Sequence, residues 1–294
     1  MLNVYDYIED TRFFKTFKVN DLLFVEYRCL FKDLRIPYWT HNNYFTFVLH
    51  GDSKYTSGDK EYVLHKGDAL FVRRGAYVSH GHGKEAYCAL LIFVSDDFIK
   101  TVLDKYPTPN VPKADTSSGG GDPIVRLQMD DSLTAYFHSV LSYFPKDISP
   151  SPDLLKVKFE ELLLSIMTGN RNGSLATCLR NIHQCGKISL RHVMETSFMY
   201  NMGLDEYARL CGRSLSVFKT EFYETFKTTP GRWLISARVQ YARVLIETTN
   251  ESINDVAFRS GFKNTTHFVK VFKETYGVPP LQYRFKVNQS VAVG

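Results

Sequence analysis

Two short groups of polar side chains near the end of the chain share one chemistry and a similar spacing. Their hydroxyl, ammonium and imidazole groups can form hydrogen bonds with the edges of nucleotide bases, and separations of three or four residues place side chains on one face of a helix. The first group is Ser216, Lys219 and Thr220, and the second is Thr266, His267 and Lys270. Such faces would bind a partner rather than catalyse a reaction, provided that the surrounding elements expose them.

Both groups lie in copies of one sequence pattern. The copies read CGRSLSVFKTEFYETFKTTP, residues 211–230, and SGFKNTTHFVKVFKETYGVPP, residues 260–280. At an offset of 50 the matched pairs are Phe218 with Phe268, Phe222 with Phe272, Glu224 with Glu274, Thr225 with Thr275, Phe226 with Tyr276 and Pro230 with Pro280. At an offset of 49 they are Leu204 with Ile253, Glu206 with Asp255, Ala208 with Ala257 and Gly212 with Gly261. The inward residues are kept and the outward ones change, as expected of two similar units that read different sequences.

Each copy has the features of a helix-turn-helix, over residues 203–225 and 252–276. A short helix ends at Gly212 or Gly261, and a second helix begins after a capping residue, Ser214 or Asn264. The phenylalanine pair in each second helix should face the core. The opposite face then exposes the polar groups described above, together with Val269 in the second copy, which could touch a thymine methyl group or simply pack.

The segment between the copies, PGRWLISARVQYARVLIETTN, predicts a long helix. Its apolar residues recur at helical spacing, so it could hold both units rigidly. Two second helices on one stiff connector can enter successive major grooves, about 34 Å apart on one face of DNA. Tandem helical hairpins also build protein-binding solenoids, so the repeat alone leaves both classes open.

The charge distribution favours DNA binding. Residues 187–294 hold 15 Lys and Arg against 9 Asp and Glu, a net charge of +6, whereas residues 1–186 hold 21 and 22, a net charge of −1. A basic module joined to a near-neutral one is typical of a protein that binds a polyanion.

Residues 187–294 resemble the DNA-binding domain of the AraC/XylS family of bacterial transcription regulators, chiefly in INDVAFRSGFKNTTHFVKVFKETYGVPPLQYR, residues 253–284. The resemblance implies a sequence-specific regulator, expected to be an activator that works with RNA polymerase. It assigns base contacts to Ser216, Lys219, Thr220, Thr266, His267 and Lys270. Phosphate contacts are expected from Ser214 and Asn264 at the helix N-termini, and from the basic side chains of Arg232 and Lys273. Gly203 departs from the family, which usually has Ser or Thr there.

The first part of the chain predicts a small β-barrel or sandwich. Residues 17–95 alternate β-branched and aromatic runs with turn signals at Gly51-Asp52, Gly58-Asp59 and Gly67-Asp68. A loop rich in Pro, Gly and Ser follows at 106–123, and a helix at 151–168 could pack within the chain or pair with a second copy. The expected organisation is therefore multidomain α+β, with a β-rich regulatory domain at 1–182 flanked by helices, a linker at 183–189 and an all-α domain at 190–294.

The β-rich part resembles, more distantly, the cupin-like regulatory domain of many members of this family. HKGDALFVRRGAYVSH, residues 65–80, is similar to the second cupin motif, with Gly67, Asp68 and Gly75 in place. Val78 stands where a metal-binding cupin has a histidine, and Tyr44 where it has a glutamate, so no metal and no other cofactor is expected. A cupin-type metalloenzyme with an accessory DNA-binding domain is the alternative. Four histidines could form a metal site elsewhere in this part, but exposed loop positions explain them better. They are His41, His65, His80 and His82.

LFVRRGAYV, residues 70–78, also resembles the type III secretion activators of the same family, which are controlled by a protein. Arg73 and Arg74 could therefore face an acidic partner, or could form a solvated turn. The effector, a small molecule or a protein, is left open by the sequence.

Composition places the chain among soluble globular proteins. The five cysteines are odd in number and scattered, which argues against a disulfide framework or a zinc finger. No run approaches the roughly 18 apolar residues of a membrane span, and the first residues lack the pattern of a leader, so a cytoplasmic location away from the membrane is expected.

Overall fold

The computed structural model describes residues 1–11, 13–29, 35–57, 60–82, 86–106, 122–145, 149–184 and 189–292. These residues form two compact units that divide between Lys187 and Ile188. The division falls inside the predicted linker 183–189, although His183 and Gln184 belong to the end of a helix. The predicted turn at Gly58-Asp59 and most of the loop at 106–123 lie outside the described residues.

The first unit contains two sheets, built from eleven strands in the described part of the chain. Their bounds are β1 Leu2–Asn3, β2 Lys15–Val19, β3 Leu22–Cys29, β4 Arg35–Thr40, β5 Asn43–His50, β6 Asp52–Ser57, β7 Lys60–Leu64, β8 Ala69–Val72, β9 Gly75–His82, β10 Tyr87–Val94 and β11 Ile124–Arg126. One sheet has the order β1-β4-β9-β6-β7 and the other β11-β8-β5-β10-β3-β2. Neighbours are antiparallel except for β1 and β4. Gly51 and Gly67 form the predicted turns with φ of 70° and 88°, a conformation that glycine adopts readily.

Alternation along the strands of the six-stranded sheet divides the apolar residues between two cores. In β3, Leu23 and Val25 face the other sheet, whereas Phe24 joins the opposite core, which packs against helices. The same division holds in β10, where Leu91 faces the other sheet and Ile92 the helices. The result is a two-sheet sandwich with helices over one face, which confirms the predicted α+β class.

Five helices lie in the described part of the first unit: α1 Val4–Asp10, α2 Asp96–Lys105, α3 Asp131–Leu141, α4 Pro152–Thr168 and α5 Gly173–Gln184. The helix predicted at 151–168 is α4, and Ser151 caps it by accepting a hydrogen bond from the Leu154 N–H. The apolar stripe of α4, centred on Phe159 and Leu162, is buried in the core of its own unit. Of the two packing alternatives, burial within the chain is therefore observed.

The second unit is helical throughout its described residues. Its helices are α6 Leu190–Ser197, α7 Leu204–Leu210, α8 Leu215–Phe226, α9 Pro230–Thr248, α10 Ile253–Arg259, α11 Thr265–Tyr276 and α12 Pro280–Ala292. The long connector α9 has 19 residues, a length of about 28 Å, and it contacts both α8 and α11. Among the described residues, no helix is both long and apolar enough to cross a membrane.

Candidate DNA interface

The two helix pairs α7–α8 and α10–α11 have the turn geometry that the sequence predicts. Gly212 and Gly261 are both left-handed, with φ of 67° and 91°. Ser214 caps α8 by accepting a hydrogen bond from the Val217 N–H, and Asn264 caps α11 by accepting one from the His267 N–H at 2.8 Å. The departure at Gly203 is compensated, because Glu206 accepts a hydrogen bond from the Gly203 N–H at 2.6 Å.

Each second helix is held by the predicted phenylalanine pair. Phe218 and Phe222 of α8 and Phe268 and Phe272 of α11 are all fully buried. Because the two helices share this inward face, they present equivalent outward faces.

An aromatic cluster extends the repeat beyond the residues that the sequence comparison matched. In the first helix-turn-helix the ring of Trp233 lies 6.0 Å from that of Phe222 and 4.9 Å from that of Phe226. In the second helix-turn-helix Tyr283 replaces Trp233, with centroid distances of 5.4 Å to Phe272 and 5.7 Å to Tyr276. The start of α9 therefore supports α8 as the start of α12 supports α11.

A stacked arginine completes each copy of the cluster. The Arg191 guanidinium of α6 lies 4.7 Å from the ring centre of Phe226, and the Arg243 guanidinium of α9 lies 5.8 Å from that of Tyr276. For the first helix-turn-helix α9 is thus the helix that follows, and for the second it is the helix that precedes. Sharing α9 in this way joins the two helix-turn-helix units without a flexible linker.

The structure places all six candidate base-contacting side chains on the surface. Exposed residues in α8 are Ser216, Lys219 and Thr220, and in α11 Thr266, His267 and Lys270. Within α8, the Thr220 hydroxyl donates to the Ser216 carbonyl at 3.2 Å. In α11, the Lys270 ammonium lies 4.0 Å from Glu274, and the His267 ring lies 5.8 Å from that of Phe262. None of these contacts buries the side chain, so each face remains open to a large partner.

The four candidate phosphate-contacting residues are also exposed. Ser214 and Asn264 use their side-chain oxygens to cap α8 and α11, where free backbone N–H groups and the helix dipole attract anions. Arg232 lies in the first turn of α9, at the edge of an open groove of about 680 Å³ that α9 forms with the end of α11. Lys273 lies in the last turn of α11.

One of the outward residues packs instead against its own unit. Val269 is half-buried and lies against the core formed by α9, α10 and α11, so of the two roles left open for it, a thymine contact or packing, the structure shows packing. At the equivalent position of α8, Lys219 is exposed. The side chain at this position lies at the border of the buried face, where a valine turns inward and a lysine reaches out.

Two exposed residues of α8 were missed by the sequence comparison. Val217 is 45% exposed and aligns with His267, and Tyr223 is 58% exposed and aligns with Lys273. Both follow from the offset of 50, but polar chemistry alone had selected the candidates. An exposed valine near the start of this helix has the chemistry to contact a thymine methyl group.

In the first unit, Arg74 is already paired. Its guanidinium binds Asp96, its backbone N–H donates to the Asn43 side chain at 3.1 Å, and Asn43 in turn donates to Asp96 at 2.6 Å. The side chains of Arg74 and Asp96 are only 17% and 12% exposed. Arg74 therefore holds β5, β9 and α2 together rather than forming the solvated turn or the acidic-partner contact that the sequence suggested. Arg73 is half-buried.

The histidines of the first unit have separate neighbours. His65 lies 2.9 Å from Asp52, His80 lies 3.4 Å from Thr56, and His41 lies 3.3 Å from Asn3. The side chain of His82 is outside the described set. Within the part of the chain that the structure describes, no group of three or more His, Cys, Asp or Glu side chains could hold a metal ion.

Tyrosines fill the space between the two sheets. The buried tyrosines of this core are Tyr5, Tyr38, Tyr44, Tyr55, Tyr77 and Tyr87, each less than 8% exposed. The Tyr38 hydroxyl pairs with that of Tyr44, the Tyr55 hydroxyl lies 3.3 Å from that of Tyr87, and the Tyr77 hydroxyl donates to the Arg73 carbonyl at 2.6 Å. Burial raises the pKa of Tyr44 and of Tyr87 well above the ordinary value, so both stay neutral. Tyr44, which stands where a metal-binding cupin has a glutamate, is thus a packing residue.

The two parts of the chain match different protein families. Residues 43–178 match the family described as the ExsA N-terminal regulatory domain. Residues 207–286 match a family described as a helix-turn-helix domain.

Relatives match across both parts. The virulence regulon transcriptional activator VirF of Yersinia enterocolitica is 24% identical over 237 residues, which are 81% of this chain and 87% of VirF. The HTH-type transcriptional regulator ExsA of Pseudomonas aeruginosa is 25% identical over 239 residues, 81% of this chain and 84% of ExsA. The solved structure of ToxT from Vibrio cholerae is 16% identical, covers 90% of this chain and 98% of ToxT, and has a TM-score of 0.41.

Proposed function

Because the chain belongs to the AraC/XylS family of transcription regulators, we propose that it activates transcription by reading two adjacent major-groove segments of one DNA site. The supporting observation is the repeated outward face of α8 and α11, two capped helices fixed to the single connector α9. The name of VirF as a transcriptional activator supports activation over repression.

Within this proposal the exposed polar residues have distinct roles. Ser216, Lys219 and Thr220 contact bases in one segment, and Thr266, His267 and Lys270 contact bases in the next. The N-termini of α8 and α11, with Ser214 and Asn264, bind phosphates and set the register of each helix in its groove. Arg232 and Lys273 add charge that binds phosphate without regard to sequence.

The direct test is selection of bound sequences from random double-stranded DNA by the purified full-length protein. The expected product is an asymmetric site with two conserved segments whose centres lie about 10 base pairs apart. Recovery of unselected DNA at ordinary ionic strength would contradict the proposal, because it would leave charge as the sole basis of binding.

The first unit is proposed to control this activity through a protein partner. The tightly packed tyrosines between the sheets support a surface site over an enclosed ligand. A pull-down with the full-length protein as bait, compared with a screen of small molecules by thermal shift, separates the two effectors. A small molecule that raises the melting temperature of the first unit would contradict control by a protein alone.

RNA polymerase is the further partner that activation requires, and the bacterial cytoplasm is the compartment where both meet DNA.

A second copy of the chain is proposed to associate through α4, where Leu154 and Val157 are 39% and 57% exposed. Sedimentation of wild type and a Val157→Glu variant tests this, with loss of the dimer expected in the variant.

The chain is proposed to have no catalytic activity. Tyr44 and Val78 occupy two positions where a metal-binding cupin has ligands, and both are buried. Metal analysis of the purified protein tests this, since one equivalent of iron, zinc or manganese in the first unit would favour the metalloenzyme alternative.

A further inference from the structure

The loop between α6 and α7 is held by the long connector. From α9, the Arg238 guanidinium donates two hydrogen bonds to this loop, one to the Phe198 carbonyl and one to the Tyr200 carbonyl, both at 2.8 Å. A planar guanidinium can make two such bonds at once, which fixes orientation as well as distance. Arg238 therefore binds the backbone that leads into the first helix-turn-helix.

The same loop is fixed to the first helix-turn-helix from the other side. The hydroxyl of Tyr207, a buried residue of α7, lies 3.0 Å from both the Ser197 and the Tyr200 carbonyl oxygens. The loop thus moves with α7 and cannot follow α9 independently.

The second helix-turn-helix touches this loop through the turn between α10 and α11. A methyl group placed on Gly261 would lie 2.7 Å from the Met199 carbonyl oxygen and 2.8 Å from Arg238 Nε. Gly261 is buried and has a φ of 91°. Only a residue without a side chain fits so close to a carbonyl. The turn of the second helix-turn-helix therefore lies directly on the loop that leads into the first.

These contacts add a third constraint to the two that α9 supplies. The first helix-turn-helix packs on α9 through its aromatic cluster at Trp233, and the second packs on α9 through an apolar cluster that includes Val239 and Leu245. Because both clusters lie on one helix, rotation about that helix is the motion that they restrain least. The contact of Gly261, Arg238 and the loop 198–200 bridges the units away from those clusters and opposes that rotation.

We infer that this clamp, formed by Arg238, Gly261 and the loop 198–200, fixes the spacing of α8 and α11 and makes the protein select DNA sites by the number of base pairs between the two segments. The inference rests on the proposed function. Inserting one base pair moves a segment by about 3.4 Å along the duplex and about 35° around it. A rigid pair of helices cannot follow that movement, whereas a pair free to rotate can.

The test uses the full-length protein with its selected site and with sites that carry one base pair more or fewer between the segments. Wild type is expected to bind the altered sites at least about 30-fold more weakly than the selected site, because one helix-turn-helix would lose several base contacts. Gly261→Ala should reduce this ratio to about 3-fold, because the added methyl displaces the loop. Wild-type selectivity retained in Gly261→Ala would overturn the inference.

Gly277 provides a matched control. It is also left-handed, with a φ of 79°, but a methyl group there meets no atom within 4 Å. Gly277→Ala therefore introduces the same kind of backbone strain without touching the loop, and it should keep the wild-type ratio. An equal loss of selectivity in both variants would attribute the effect to strain and overturn the clamp.

A second set of three variants tests the clamp without changing a glycine. Arg238→Ala should relax the spacing selectivity. Arg238→Lys should give a ratio between those of Arg238→Ala and wild type, because a lysine ammonium lacks the planar pair of donors of a guanidinium. Gln240 is exposed on the same helix, so Gln240→Ala should leave the ratio unchanged. Equal ratios in Arg238→Ala and Gln240→Ala would refute the role of Arg238. Failure of wild type to prefer any sequence would instead refute the proposed function.

Discussion

Lys227 and Gly277 end the two equivalent helices α8 and α11 in the same left-handed conformation, with φ of 55° and 79°. In both, the backbone N–H of this residue donates to a helix carbonyl, of Tyr223 and of Lys273 respectively. The fold thus imposes one conformation at both ends, but only the second has the residue that adopts it without strain.

The replacement Lys227→Gly is expected to stabilise the second unit by about 0.5–1 kcal/mol. A residue with a Cβ pays about 1–2 kcal/mol in this conformation, and part of the gain is offset by the greater freedom of glycine in the unfolded chain. Thermal unfolding followed by circular dichroism checks this. Gly277→Ala should have the opposite effect, and a destabilised Lys227→Gly would show that the lysine side chain matters more than its backbone.

The interior of the helix-turn-helix pair was predictable because its constraints are local. The turn glycines and the helix caps have conformations that depend on a few neighbouring residues. The structure gives each of them the expected geometry, at Gly212, Ser214, Gly261 and Asn264. The helix α2 was missed although Ser95 caps it and Asp96 follows. A cap of this kind is clear only when the strand before it is known to end.

Residues at the edge of a buried face were predicted least well. Val269 turns inward because α9 covers that side of α11, and Arg74 is bound because Asp96, 22 residues away, starts α2 beside it. Both depend on packing between elements, which no local pattern encodes. The contact of Gly261 with Met199 joins residues 62 apart and has no sequence signature.

Replacing Lys270 by alanine should weaken DNA binding and relax preference at one position of the site by about 1–3 kcal/mol. Lys270 is 74% exposed in its side chain and has Glu274 as a neighbour at 4.0 Å, so folding should not change. Binding measured against a panel of single-base variants checks both effects. Uniform weakening across the panel would instead assign Lys270 to a phosphate contact. The number of ions released on binding, given by the slope of log affinity against log salt concentration, should then fall by about one.

Replacing Arg74 by alanine should destabilise the first unit by about 2 kcal/mol, since it leaves the carboxylate of Asp96 poorly solvated and without its cation. Arg73→Ala is the matched control and should change stability by less than about 0.5 kcal/mol. Chemical denaturation of the three proteins measures the difference. Equal stabilities would show that water replaces the Arg74 guanidinium at no cost.

Alkaline pH should weaken the second unit through Tyr207. Burial raises the pKa of Tyr207 from 10.0 to about 12, so the folded state keeps the proton that the unfolded state loses. This contribution to stability is complete below pH 10 and falls by about 1.4 kcal/mol per unit as the pH rises from 10 to 12.

The variant Tyr207→Phe isolates this effect. At neutral pH it should be about 1–2 kcal/mol less stable, because the Ser197 carbonyl loses a donor. The gap should close between pH 10 and 12, where the wild type alone loses stability at this position. Trp233 fluorescence in a Trp39→Phe background follows unfolding of the second unit, and curves that stay parallel over this range would contradict the assignment.

Val217 is expected to read a thymine methyl group in the first segment of the site, since it is an exposed apolar side chain at the position where α11 has His267. Replacing single thymines by deoxyuridine removes one methyl group at a time. One such replacement should weaken wild type by about 1 kcal/mol and leave Val217→Ala unaffected. Val244, 46% exposed on α9, provides the control, because Val244→Ala should respond to deoxyuridine as wild type does. Val269→Ala should instead lower the melting temperature, because its side chain packs against the core. A wild type insensitive to every thymine replacement would leave Val217 as a solvated side chain.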